Sequence, residues 1–190
     1  MMIDMENTLS SQEQTVITFR LDRQMYALPV ESIVRIIELV PITPLPQVDK
    51  VVKGVINVHS HAVPVLDMRS LFGLPEAALH LYTPIILIQL HGQMCGLIVD
   101  EVVDVVHLAA GSIFRVTDIL PCELGDAPIL QGIAHIQGEM VLLLDPPHIF
   151  QAERMDELAG TLSSLPEPVA TSTADEGASP SEIVVEEVQP

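Results

Sequence analysis

Tryptophan is absent from this chain, and aromatic residues make up only 3% of it although apolar residues reach 48%. A core without rings must be aliphatic, and the β-branched Val and Ile that fill it fit pleated sheets best. Basic residues are scarce as well: 8 Lys and Arg stand against 26 Asp and Glu, a net charge of -18. Such a surface repels phosphate backbones and anionic lipid, so no nucleic acid and no direct membrane insertion are expected among its partners. Cysteine is limited to Cys95 and Cys122, too few for a disulfide framework or a paired metal spacing. Cys95 lies in the strand-like run "QMCGLIVD" and reads as a small buried hydrophobe, while Cys122 sits beside acids that raise its pKa. No apolar run approaches the roughly 18 residues of a membrane span. The polar start "MMIDMENTLSSQEQ" lacks the plan of a secretory signal, so a cytoplasmic location is expected. Neither a G-x-S-x-G elbow nor a glycine-rich phosphate loop occurs, and nothing in the sequence favours an enzyme or a cofactor.

What is present is a series of short apolar runs. "TVITFRL" (15–21) alternates with period 2, setting Ile17, Phe19 and Leu21 opposite Val16, Thr18 and Arg20. "SIVRIIEL", "GVINVH", "AVPVLD", "PIILIQL", "MCGLIVD", "EVVDVVHL", "GIAHIQ" and "MVLLLD" follow, each bounded by turn-forming or polar residues. The fold is therefore expected to be mainly β between residues 15 and 150. A flexible segment, 1–14, precedes it and a short helix, 151–160, follows. Residues 151–190 hold nine acids and one arginine, a net -8, and 161–190 read as a disordered acidic tail. Its last apolar piece, "EIVVEEV", is a candidate docking peptide.

The runs repeat. "QMYALPVESIVRIIEL" (24–39) aligns with "QMCGLIVDEVVDVVHL" (93–108) at an offset of 69. "GVINVHSHAVPVLDMRSLF" (54–72) aligns with "GIAHIQGEMVLLLDPPHIF" (132–150) at an offset of 78. The repeats span about 15–73 and 82–150, and each has too few strands for a deep core of its own. Two small barrels packed together are the natural architecture. The alignment also sets His59-Ser60 at a hairpin turn, because Ser60 takes the place of Gly138. Keeping that backbone shape costs a serine about 1 kcal/mol relative to glycine. His59 and His61 flank the turn with no third ligand evident, so they read as exposed or interface histidines and no metal is expected. Asp67 and Asp145 close equivalent strands and are expected to cap the turns that follow, not to form an acid pair.

Taken together, "YALPV", "IVRII", "GVINV", "VPVLDMR", "LFG", "GLIVDEV" and "LLLD" resemble the CheW family of chemotaxis adaptors over residues 15 to about 150. The resemblance implies two intertwined five-stranded SH3-like β-barrels with no catalytic activity. It implies a scaffold coupling the cytoplasmic tip of a methyl-accepting chemoreceptor to the regulatory domain of a CheA-type histidine kinase, with recruitment to membrane-bound receptor arrays. It places partner contacts at Ile33, Val34, Arg35, Gly54, His59, Ser60, Asp67, Arg69, Val99 and Val102. The chain departs from the family at His59-Ser60, where most relatives have Arg-Gly, and at Arg35, where many have Glu. Retained fold with altered partner choice is one reading of these changes; a regulator or competitor that binds only one partner is the alternative.

Overall fold

The structure is a computed structural model that describes residues 13–90, 92–109, 111–115 and 129–149. The expected loose N-terminus up to residue 12, the helix at 151–160, the tail at 161–190 and Cys122 lie outside these. Strands β1 (Gln14–Leu21), β2 (Gln24–Pro29), β3 (Ile33–Glu38), β4 (Val52–Val58) and β5 (His61–Asp67) belong to the first repeat. The second contributes β6 (Pro84–Leu90), β7 (Gln93–Ile98), β8 (Glu101–Leu108), β9 (Ile113–Arg115), β10 (Leu130–Ile136) and β11 (Glu139–Leu144). Two four-residue helices, α1 (Met68–Leu71) and α2 (Pro146–Ile149), follow β5 and β11 at equivalent places. The chain is mainly β, as its periodicity predicts. No helix among the described residues is long and apolar enough to cross a membrane.

The strands form a six-stranded sheet, β8-β1-β2-β11-β10-β9, and a five-stranded sheet, β3-β6-β7-β5-β4. Under the repeat each order maps onto the other, with the isolated Thr43–Val55 bridge standing where β9 pairs β10. The repeats exchange hairpins. The β1–β2 hairpin lies between β8 and β11 of the second repeat, and β6–β7 lies between β3 and β5 of the first. The joining ladders, β2–β11 and β5–β7, are parallel, whereas the hairpins themselves are antiparallel. Neither sheet is therefore built from one contiguous half of the sequence.

Exchange of hairpins divides the apolar residues among three cores. Val16, Met25, Ala27, Leu108, Ala134, Val141 and Leu143 fill the six-stranded sheet's own interior. Ile56, Val63, Val65, Ile85, Leu87 and Ile98 fill that of the five-stranded sheet. A central core takes the opposite faces: Phe19, Leu21, Tyr26 and Leu28 meet Ile86, Ile88, Cys95 and Leu97. Successive residues of a strand point to opposite faces, so β1, β2, β6 and β7 bury both. That is why "PIILIQL" is an almost unbroken apolar run, and why the Val16–Thr18 side of β1 is as buried as the Phe19 side. Three of the six aromatics meet here: Tyr26 stacks on Phe19 at 5.8 Å and on Phe72 at 5.0 Å. Cys95, the repeat counterpart of Tyr26, is fully buried, and burial pushes its thiol pKa up, which suits packing and not nucleophilic chemistry.

Matched bulges open β4 and β10. Pairing skips Lys53 between Val52 and Gly54, and Gln131 between Leu130 and Gly132. The glycine after each bulge lets a neighbouring backbone close in. A Cβ on Gly54, at φ 143°, would run into the Thr43 carbonyl oxygen, and one on Gly132 would stand 2.7 Å from the Phe114 carbonyl oxygen. Replacing Gly54 by Ala is expected to cost about 3 kcal/mol, from strained φ and overpacking together. Gly138→Ala, in open space, should cost about 1 kcal/mol. Urea denaturation of the two variants measures the gap; equal costs would show that the close approach is slack.

Candidate functional site

Edge strands expose what interior strands hide, and β3 and β8 each lie at an edge. Both carry the same irregularity. Register shifts between Ile33 and Arg35 where β3 pairs β6, and between Val102 and Asp104 where β8 pairs β1. The extra residues are Val34 and Val103, one repeat apart. A bulge re-aims side chains, and here it turns apolar ones outward: Val34 is 45% exposed and Ile36 39%, matched by Val103 at 44% and Val105 at 54%. Ile37 and Val106, the next residues along, pack inward against the two sheet cores. The molecule therefore presents two equivalent apolar edges, differing at the central residue: Arg35 on β3, Asp104 on β8.

The turn from β4 to β5 borders the β3 edge. His59 and Ser60 have φ of 49° and 68°, and Gln137 and Gly138 in the second repeat have 52° and 87°. Two consecutive positive φ values define the turn that suits a two-residue hairpin, so the alignment located it correctly. Asn57 steadies it by accepting the Ser60 amide on Oδ1 at 3.0 Å. His61 donates from Nδ1 to the His59 carbonyl oxygen at 3.0 Å. The Arg35 Nη1 donates to His59 Nε2 at 3.1 Å, joining the strand edge to the turn. Two of the three residues at which the sequence departs from its resemblance, Arg35 and His59, thus touch each other.

At the end of the β4–β5 hairpin remote from the turn lies a polar joint. Asp67 caps α1, accepting the Arg69 amide at 2.9 Å and the Ser70 hydroxyl at 3.1 Å, and pairs with Lys53 Nζ at 3.2 Å. Arg69 leaves the same helix to grip Asp100 with two hydrogen bonds of 2.7 Å, and donates to the Pro75 carbonyl oxygen at 2.8 Å. Asp100 also accepts the Asp22 amide at 2.7 Å. One carboxylate thus ties together α1, the β1–β2 turn and the β7–β8 junction. Burial pushes the Asp100 carboxyl pKa up, but the hydrogen bonds and charge of Arg69, with the Asp22 amide, outweigh it and hold it low. The same bonds hold the Arg69 guanidinium above its ordinary value.

Of the sequence-derived contact residues, Val34, Arg35, His59 and Ser60 come together at an exposed surface, with Ile33 half-buried beneath them. Val102 is the half-buried counterpart on β8, and Arg69 is half-buried in the joint. Gly54, Asp67 and Val99 are buried, and their parts are structural: a close backbone approach, a helix cap and the central core. Ile36, Val103, Asp104 and Val105 are exposed on the same two edges and were not singled out from the sequence. The offset of 69 carries the signal for them, since it projects Val34-Arg35-Ile36 directly onto Val103-Asp104-Val105. The Asp145 side chain meets the His148 ring, Oδ2 accepting from Nδ1 at 2.7 Å, a side-chain pair and not the backbone cap expected of it.

Residues 15–154 match the CheW-like domain family. The chemotaxis protein CheW of Rhizobium meliloti is 26% identical over 78% of this chain and 94% of its own length. Protein PilI of Pseudomonas aeruginosa is 26% identical over 70% of this chain and 72% of its own. Among solved structures, the scaffolding protein CheW of Thermoanaerobacter tengcongensis superposes with a TM-score of 0.67 at 25% identity, covering 75% of this chain and 96% of that one. The chain belongs to the CheW-like domain family.

Asp100→Asn should lower stability by about 2 kcal/mol at pH 7, the scale of charge-assisted hydrogen bonds lost from a partly buried site. A carboxylate held low when folded stabilises fully above its unfolded value of about 4 and loses that contribution as pH falls through the folded one. Urea midpoints of the two proteins should therefore converge as pH drops below about 4; a gap unchanged down to pH 2 would show that the Asp100 charge contributes nothing.

Proposed function

We propose that this chain is a non-catalytic adaptor of a chemosensory pathway, coupling the tip of a methyl-accepting chemoreceptor to the regulatory domain of a CheA-type histidine kinase. Family membership supports the class of role, and the observation that carries the physical reading is the pair of bulged, apolar edges on β3 and β8. A bridging protein needs separate faces for separate partners, and two edges on two sheets supply them. Unpaired edge backbone next to outward Val and Ile suits partners that bring sheets or amphipathic helices of their own. Such contacts lie in the cytoplasm, beneath membrane-bound receptor arrays.

Partner choice falls to the centre of the β3 edge. Where many relatives have Glu, Arg35 offers a cation, and His59 holds it in place from the turn. A reversed charge at an interface mainly changes which partner is admitted. The matching kinase surface is therefore acidic.

Three measurements bear on this. With receptor present, the full chain should raise kinase activity, and Val34→Asp with Ile36→Asp should abolish the rise while leaving the fold intact by circular dichroism. The double variant Arg35→Glu, His59→Arg should weaken binding to the cognate kinase by about tenfold or more and admit a generic one. Binding to one partner with kinase activity lowered would instead make the chain a competitor, and an unchanged partner profile in the double variant would end the specificity reading.

A further inference from the structure

The two edges are built alike, yet only one has its neighbouring turn tied to it. On the five-stranded sheet the Arg35 guanidinium spans from β3 to the β4–β5 turn and meets His59. On the six-stranded sheet the same two places hold Asp104 and Gln137, and no hydrogen bond joins them. Asp104 turns back on its own strand, Oδ1 accepting the Val105 amide at 2.7 Å. Between β8 and the β10–β11 turn a cleft of about 200 Å³ remains. Met25, Val106, Ile136 and Val141 line its apolar part, beside buried Thr18 and the acids Asp104 and Glu139. Arg20 also lines it, opposite Glu101 at 3.8 Å. The charged groups lining the space, Arg20, Asp104 and Glu139, leave it with one acid in excess.

We infer that this cleft receives an arginine or lysine side chain from a partner protein, which spans Asp104 and the β10–β11 turn as Arg35 spans the equivalent elements within the chain. Apolar side chains beside acidic ones suit a long aliphatic stem ending in a cation. The internal repeat supplies the template: one lobe shows a guanidinium across this place, and the other has an acid where that guanidinium would be rooted. The cleft adjoins exposed Val103, so a basic residue flanked by apolar ones would cover both. This site is distinct from the β3 edge and does not depend on which kinase or receptor the chain serves.

The test is a titration of the isotope-labelled full chain, followed by amide resonances, with acetyl-Val-Arg-Val-amide and with the same peptide carrying uncharged citrulline. The arginine peptide should shift residues 103–106 and 136–141, and the citrulline peptide should bind about tenfold more weakly. Asp104→Asn should weaken the arginine peptide by a similar factor. Asp104→Arg, which plants a guanidinium at the Arg35-equivalent position, should block it with other resonances unchanged. Equal binding of the two peptides, no binding of either, or shifts confined to other faces would overturn the assignment. So would self-association that Asp104→Arg abolishes, since the cleft would then belong to a second copy of the chain.

Discussion

Strands β1, β2, β6 and β7 bury both of their faces, and each face serves a different core. One set of alternate residues fills the interior of a sheet; the other fills the space between sheets. Such strands have no polar side to turn to water, and their four central positions are contributed equally by the repeats. The central core can form only when both hairpins have crossed into the opposite sheet. The aliphatic composition follows from this, because β-branched side chains pack on pleated surfaces from both sides with little rotamer freedom to lose. The joint of Arg69, Asp100 and Asp22 then fixes where the repeats meet.

With the interior held in common, variation is concentrated on the edges. The bulges at Val34 and Val103 are the same device used twice, but the residues after them have opposite charge. His59 and Ser60 keep the backbone of the turn while replacing the side chains that the resemblance led one to expect, which separates the shape of the surface from its chemistry. A duplicated scaffold can thus address two kinds of partner without altering its core.

Much of this was readable before any coordinates. Constant offsets of 69 and 78 located the repeat, the strands and the positive-φ turn at His59-Ser60. The hairpin exchange was not readable from residue pairing: the repeats carry similar side chains at the joining positions, so a hairpin closing on its own copy or on the other satisfies the same pattern. The three-residue β9 is too short for periodicity to reveal, and it was missed. Arg69 and Asp100 lie 31 residues apart across a repeat boundary, beyond any local motif. Gly54, Asp67 and Val99 were placed at a partner surface by resemblance, although apolar neighbours and a strand-end position are equally the marks of buried structural residues.

The crossed hairpins also bear on ancestry. Two separate copies of one such half, each lending its first hairpin to the other, would give a symmetric dimer with the same pairing order in both sheets. Joining the copies head to tail fixes that arrangement within one chain and releases each half from the requirement to be identical. Arg35 and Asp104 are what such a release permits: a cation and an anion at one ancestral address.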